Sequence, residues 1–275
     1  MDLEAYFERI GFREEPRPDL VTLKALHRAH LQAVPYENLD VQFGRPLTTD
    51  PAEAVEKIVA RRRGGWCYEM NGVFGAALTE IGFKVTGMAG AAMRELMGDI
   101  MIGNHLVLLV EIDGQHWIAD VGFGDGCQDP IPLRRSAINI GGYAFRLEAL
   151  DERWWRFHNH EFGGARSFDF VVEPADPDLL AGRCEWLQQD PTSPFVLNLI
   201  VQRFRADTIL QLRGRVFRTV TPRGVETRLL RSADELVAVL ASDFGLDVPE
   251  AAGLWPRVVA RHEEVLAAAE AGQNA

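Results

Sequence analysis

Hydrophobic periodicity changes once along this 275-residue chain, near Lys84, and that change constrains the fold more than any single motif. Before it, apolar residues recur at helical spacing. Leu20, Leu23, Leu26, Leu31 and Val34 share one face of a helix that Asp19 can cap and Pro35 ends. A second helix is predicted over Ala52–Ala60. A third begins near Cys67, with Met70, Val73, Phe74, Ala77, Leu78 and Ile81 on one face and Gly82 as its stop. After Lys84, short apolar runs alternate with Asp-Gly and Gly-Gly turns, as in "LVLLVEIDGQHWIADVGFG" and "FDFVVEP". That texture predicts a mostly antiparallel sheet or barrel up to about Cys184. Residues 185–205, with Pro191 and Pro194, read as a connection, and "ILQLRGRVFRTV" and "VETRLL" as further strands. Ser232 and Glu235 form a capping box opening a helix through Ala241, Pro256 suits the first turn of a last helix, and residues 272–275 are expected to fray. The fold class is therefore α+β, with two or three subdomains expected at this length.

Composition removes several function classes. At 47% hydrophobic and 25% charged the chain is of ordinary globular type, and its net charge of -11 argues against a general nucleic-acid binder. The start, Met1-Asp2-Leu3-Glu4, lacks the basic segment and long apolar stretch of a signal peptide, and the run Leu106–Val110 is too short to span a bilayer. No membrane association and a cytoplasmic location are expected. The cysteines, Cys67, Cys127 and Cys184, are odd in number and widely spaced, which speaks against a disulfide framework or a zinc knuckle.

Cys67 is the thiol best placed for chemistry. At a helix N-terminus it meets unpaired backbone N–H groups, which favour a thiolate, and its own N–H is available to an oxyanion. Gly64 and Gly65 before it would let the chain turn sharply and a substrate approach the sulfur. The bland alternative is a packed core thiol. A nucleophilic thiol needs a base, and the base an orienting group. If Asp113-Gly114 is a two-residue hairpin loop, paired residue numbers sum to 227, so Val107 faces Asp120. His105 then points to the same face as Asp120, a diagonal neighbour about 7–8 Å away at the backbone. A three-residue loop would put the two on opposite faces. Asp120 interrupts an apolar strand, where a carboxylate is costly without a partner such as an imidazole. The other histidines read as packed or solvated, and Glu69 and Asn71 as structural. The loop Val121–Gly126 offers backbone N–H groups to a phosphate or carbonyl.

The segments "RGGWCYEMNG" at 63–72, "NHLVLLV" at 104–110 and "ADVGFG" at 119–124, with "VPYENLD" at 34–40 and "PTSPFVLNLIVQR" at 191–203, resemble the arylamine N-acetyltransferases over essentially the whole chain. The resemblance implies a helical bundle (1–84), a β-barrel (85–184), a connection (185–205) and an α/β lid (206–275), with a papain- or transglutaminase-like Cys-His-Asp core. By motif that core is Cys67, His105 and Asp120, the three residues reached from spacing. It implies ping-pong transfer of acetyl from acetyl-CoA, the co-substrate, through an acetyl-cysteine to an arylamine, arylhydrazine or N-hydroxyarylamine, without a metal. Tyr36, Phe123 and Phe195 match the aromatic acceptor pocket; Tyr36 stands where the family commonly has Phe. Coenzyme A is expected near Asn104 and the loop carrying Gly122 and Gly124, with Arg213 and Arg215 as candidate cations for its phosphates. The resemblance leaves room for a homodimer. The rival readings are an amide synthase of the same fold and a Cys-His-Asp hydrolase.

Overall fold

The computed structural model describes residues 1–273, so Asn274 and Ala275, in the stretch expected to fray, lie outside the described residues. The N-terminal third is helical: α1 (Leu3–Ile10), α2 (Leu20–Ala33), the short strand β1 (Tyr36–Glu37), α3 (Leu39–Gln42), α4 (Pro51–Val55) and α5 (Cys67–Ile81). The sequence cues work locally. The Asp19 carboxylate accepts from the Thr22 N–H at 2.8 Å, and Gly82 closes α5 in the left-handed conformation at φ 103°. One element departs from expectation. The helix predicted over Ala52–Ala60 runs as α4 only to Val55, and Glu56–Ala60 widens into a π-helical turn.

The middle of the chain adds β2 (Lys84–Ala92), α6 (Arg94–Met97), β3 (His105–Ile112), β4 (Gln115–Ala119), β5 (Ile131–Pro132), β6 (Ser136–Ile140), β7 (Tyr143–Ala149), β8 (Trp154–His158) and β9 (Ser167–Val171). These strands form an eight-stranded antiparallel half-barrel in the order β5-β4-β3-β2-β9-β8-β7-β6. The β3–β4 hairpin has the two-residue loop predicted for it. Ile112 pairs with Gln115 and Leu108 with Ala119, while Asp113 and Gly114 turn at φ 51° and 72°.

The chain continues through α7 (Pro177–Gln189), α8 (Pro194–Leu197), β10 (Ile200–Arg205), β11 (Thr208–Arg213), β12 (Val216–Thr221), β13 (Gly224–Leu229), α9 (Ala233–Ser242) and α10 (Trp255–Gln273). The stretch 185–205 is thus more than a connection, because β10 is an interior strand of the second sheet, ordered β1-β10-β11-β12-β13. Val201 and Phe204 are buried there, and the prolines that suggested a loop sit before it, Pro194 at the start of α8. Strand β1, from the helical third, completes this sheet at its edge: Tyr36 pairs with Gln202 and Glu37 with Val201.

Two large cores follow. One joins α1, α2 and α5 to the half-barrel; the other lies between the second sheet and α9–α10. A smaller cluster between them contains Tyr36, Trp66, Cys67, Tyr68, Cys184 and Leu187. Among the described residues no helix is long and apolar enough to cross a membrane.

Candidate active site

Cys67 is the first residue of α5 and is 2% exposed. At that position its backbone N–H has no intrahelical acceptor. Its thiol donates to the Asn104 carbonyl at 3.8 Å. The two glycines before it serve a different purpose from the one expected. A Cβ on Gly64 would lie 2.1 Å from the Pro35 carbonyl oxygen and 2.7 Å from Glu37 Cγ, and one on Gly65 would lie 2.8 Å from Glu69 Cβ. They admit β1 and the Glu69 side chain, not a substrate. The Gly65 carbonyl accepts from Glu37 N–H at 2.9 Å, and Gly65 N–H donates to Pro35 at 3.2 Å. Trp66 is fully buried core between Tyr68 and Phe195, with both ring centroids at 5.5 Å.

His105 opens β3 beside Gly90 of β2, where a larger residue would press on the imidazole: an added Cβ would stand 3.1 Å from His105 Cβ and Cδ2. Its ring is held between Phe168 and Phe123, at 5.1 and 5.4 Å. Its Nε2 meets Asp120 Oδ2 at 2.7 Å, which leaves Nδ1 for another partner. Burial works against a charged His105, but the Asp120 carboxylate, by charge and hydrogen bond, and the Cys67 thiol beside it outweigh burial and raise its pKa to about 10. Asp120 is the mirror case. Burial favours its neutral form, yet His105, the Asn71 amide and the Gly122 N–H bring it below the ordinary carboxylate value.

Asn71 does more than the structural part expected of it. Its Nδ2 donates to Asp120 Oδ1 at 2.7 Å and to the Leu106 carbonyl at 2.6 Å, and its Oδ1 accepts from Val121 N–H at 3.0 Å. One side chain on the cysteine helix thereby fixes the strand end that carries the aspartate. Gly122, whose N–H bonds Asp120 Oδ1 at 2.9 Å, packs on the nucleophile helix: an added Cβ would stand 2.9 Å from Cys67 Cα. Cys127 and Cys184 differ from Cys67. Burial pushes the Cys127 thiol far up and the Cys184 thiol up to about 12.

Cys67 and His105 open into a cavity of about 570 Å³ between the half-barrel and the second sheet. Tyr36, Phe123, Phe195, Asn104 and Gly122 all line it; Gly124 does not, since it turns against Gln202 and Tyr36. Asn104 also clips the end of β2, accepting from Ala92 N–H at 2.7 Å. Arg213 and Arg215 line the far wall, joined by Arg218 and by Arg261 and His262 of α10, a helix whose part in the site had no signal in its charged sequence. Burial, and then the neighbouring Arg261, lower the pKa of Arg213. Asp125 was likewise missed. This buried carboxylate accepts from Gly164 N–H at 2.6 Å, Gln211 at 2.7 Å, Asn159 at 2.9 Å and Gln202 at 3.1 Å, tying the 159–164 loop and strands β10 and β11 to the Gly122–Gly126 loop. Among the described residues no group of three or more His, Cys, Asp or Glu side chains is arranged to hold a metal ion.

A family profile described as N-acetyltransferase matches residues 19–252. The chain is 34% identical over 273 residues to the arylamine N-acetyltransferase of Mycolicibacterium smegmatis, covering 97% of this chain and 98% of that one. It is 33% identical over 262 residues to the enzyme of the same name from Escherichia coli (strain K12), covering 90% of each. Among solved structures it resembles the M. smegmatis arylamine N-acetyltransferase at a TM-score of 0.85 and 32% identity, over 94% of this chain and 97% of that one. It also resembles the Mycobacterium marinum arylamine N-acetyltransferase in complex with CoA, at a TM-score of 0.84 and 29% identity, over 94% and 98% of the two chains.

Proposed function

The chain belongs to the arylamine N-acetyltransferase family of acyltransferases, and on that premise we propose that it moves acetyl from acetyl-CoA to an aromatic amine or hydrazine in two half-reactions through Cys67. The observation that carries this reading is the cavity wall on which Cys67, at the start of α5, stands beside a His105 bonded to Asp120 at 2.7 Å.

In the first half-reaction the Cys67 sulfur attacks the thioester carbonyl. Its proton passes to His105, whose cationic form Asp120 stabilises. The Cys67 N–H, free of an intrahelical acceptor, faces the developing oxyanion. As the carbon–sulfur bond to coenzyme A breaks, His105 returns the proton to the departing thiolate and an acetyl-Cys67 thioester remains. In the second, the amine nitrogen attacks that thioester, His105 takes the ammonium proton, and Cys67 leaves as thiolate, restoring the starting state. Tyr36, Phe123 and Phe195 give the acceptor ring an apolar wall, with Asn104 and Gly122 beside the acetyl group. The M. marinum relative is solved with CoA. Here Arg213, Arg215 and Arg261 supply cations for its phosphates, and the crowding of Arg213 by Arg261 is relieved when an anion sits between them. A cytoplasmic setting belongs to the same reading, because all three cysteines are unpaired and the chemistry needs Cys67 reduced.

The test is intact-protein mass after incubation with acetyl-CoA and no amine. One added acetyl group is expected, absent from Cys67→Ala and discharged by an arylhydrazine. No adduct, or one that survives Cys67→Ala, refutes the reading; release as acetate at the same rate without amine identifies a hydrolase instead.

A further inference from the structure

Lys57 is 2% exposed, which is exceptional for a lysine, and nothing in the two half-reactions uses it. It reaches the interior from the π-helical turn Glu56–Ala60, a widened geometry that recurs at functional positions. Its ammonium meets Asp40 Oδ2 at 2.8 Å and the two Glu69 oxygens at 2.9 and 3.0 Å.

Glu69 is the third residue of α5, two after Cys67. It is 4% exposed, and its Oε2 accepts the Trp66 N–H at 3.1 Å, capping the helix that begins with the nucleophile. A carboxylate there suits the helix dipole. Burial raises its pKa, and the Lys57 ammonium, by charge and hydrogen bond, holds it toward the anion two residues from a sulfur that must carry negative charge, where like charges oppose one another. The remaining acidic groups have other cations. Glu37 takes Arg63 at 2.7 and 3.0 Å, and Asp40 is shared by Lys57, Arg63 and Arg45. Among the described residues the one cation bonded to Glu69 is Lys57.

The structure assigns Lys57 as a positioning residue that lets Glu69 cap the nucleophile helix without its charge suppressing the Cys67 thiolate. The assignment rests on Cys67 being the reactive thiol. Facing that sulfur, besides Glu69, are His105 with Asp120 behind it, Tyr36, Tyr68 and Cys184. The two tyrosines and Cys184 stay neutral near pH 7, because burial raises all three. The charged groups named around the sulfur are then the His105–Asp120 pair and the Lys57–Glu69 pair, with Asp125 on the same cavity wall as Tyr36.

The experiment is the pH dependence of Cys67 alkylation by iodoacetamide, which reads the thiol without acetyl-CoA and so stays informative if the acetyl-transfer reading fails. Lys57→Met leaves Glu69 without its bonded cation, so at every pH where Glu69 is ionised its charge opposes the Cys67 thiolate. Its alkylation midpoint should rise by about one pH unit, a roughly tenfold slower reaction on the rising limb. Glu69→Gln keeps an oxygen for the Trp66 N–H and removes the Glu69 charge while Lys57 stays paired with Asp40, so its midpoint should fall below wild type. The double variant Lys57→Met/Glu69→Gln carries neither charge and should return to within about twofold of the wild-type rate. A folded Lys57→Met with the wild-type midpoint, or a double variant as slow as Lys57→Met, overturns the assignment. If Lys57→Met does not fold, the double variant is compared with Glu69→Gln, from which it differs only by Lys57. A higher midpoint in the double variant supports the assignment, and equal midpoints overturn it.

Discussion

Replacing Gly122 by Ala adds one methyl at the tightest contact between the aspartate strand and the cysteine helix. Built on the present backbone, that carbon lies 2.6 Å from Asn71 Nδ2, 2.8 Å from the Cys67 carbonyl oxygen and 2.9 Å from Cys67 Cα. Each distance is at least half an ångström short of the 3.4 Å at which ordinary contact begins. None of the three atoms can yield cheaply. Two belong to the Cys67 backbone, and Asn71 Nδ2 is pinned by the Leu106 carbonyl at 2.6 Å and Asp120 Oδ1 at 2.7 Å. Overpacking of this kind costs about 1–3 kcal/mol, a melting temperature lower by roughly 2–10 °C for a chain of this order. Relieving the overlap moves Cys67 relative to His105 by up to about 1 Å, enough for about 100-fold in rate. Calorimetry reads the first effect, and iodoacetamide alkylation and acetyl transfer read the second. Gly182→Ala is the control: it sits in α7 with nothing within 4 Å of the added carbon, and should gain about 0.5–1 kcal/mol with unchanged activity. A Gly122→Ala protein that melts within a degree of wild type and alkylates at its rate refutes the steric argument.

Three further outcomes follow from the same geometry. In Asp120→Asn the fold should persist while the His105 titration seen by NMR drops from about 10 toward the ordinary 6.5, and thiol alkylation near neutral pH slows; a midpoint left near 10 would remove Asp120 as its cause. Stability should follow the same pair. His105 binds its proton more tightly folded than unfolded, so its contribution is complete below about 6.5 and lost as pH rises through about 10. Asp120, depressed when folded, contributes above its ordinary 3.8 and loses that as pH falls. Melting temperature should therefore decline between pH 6.5 and 10 more steeply in wild type than in His105→Gln, and parallel curves would contradict this. Finally, Arg213→Ala and Arg261→Ala should each raise KM for acetyl-CoA about tenfold with kcat nearly unchanged, and leave KM for the phosphate-free donor 4-nitrophenyl acetate alone; equal effects on both donors would move the phosphates elsewhere.

What could be read in advance was what depends on neighbours in sequence. Asp19, Gly82 and the Ser232 cap act within four residues, and the Asp113-Gly114 turn fixed the register that put His105 on the Asp120 side. What escaped depends on approach from afar. The glycines at 64 and 65 looked like room for a substrate because nothing local reveals that β1 lies against them. Asn71 and Asp125 are ordinary polar residues until the chain brings Asp120 to one and the Gln202 and Gln211 amides to the other. Lys57 sat in a stretch predicted as regular helix, and the π-helical turn that carries its buried ammonium gives no sign in residue type. Arg261 and His262 stand in a charged helical stretch, and periodicity cannot show that a helix face lies over a cavity.

The pairing of β1 with β10 also has a consequence in time. The Asn38 side chain bonds the backbone at residues 195, 198 and 200, the last of these 162 positions away in sequence. As the chain leaves a ribosome, Cys67 emerges early, but the sheet that walls its cleft cannot close until the segment beyond residue 200 has followed. Closing so long a loop is entropically unfavourable and comes late. The thiol thus spends synthesis without its finished pocket, and the ability to take up an acyl group arrives together with the completed protein.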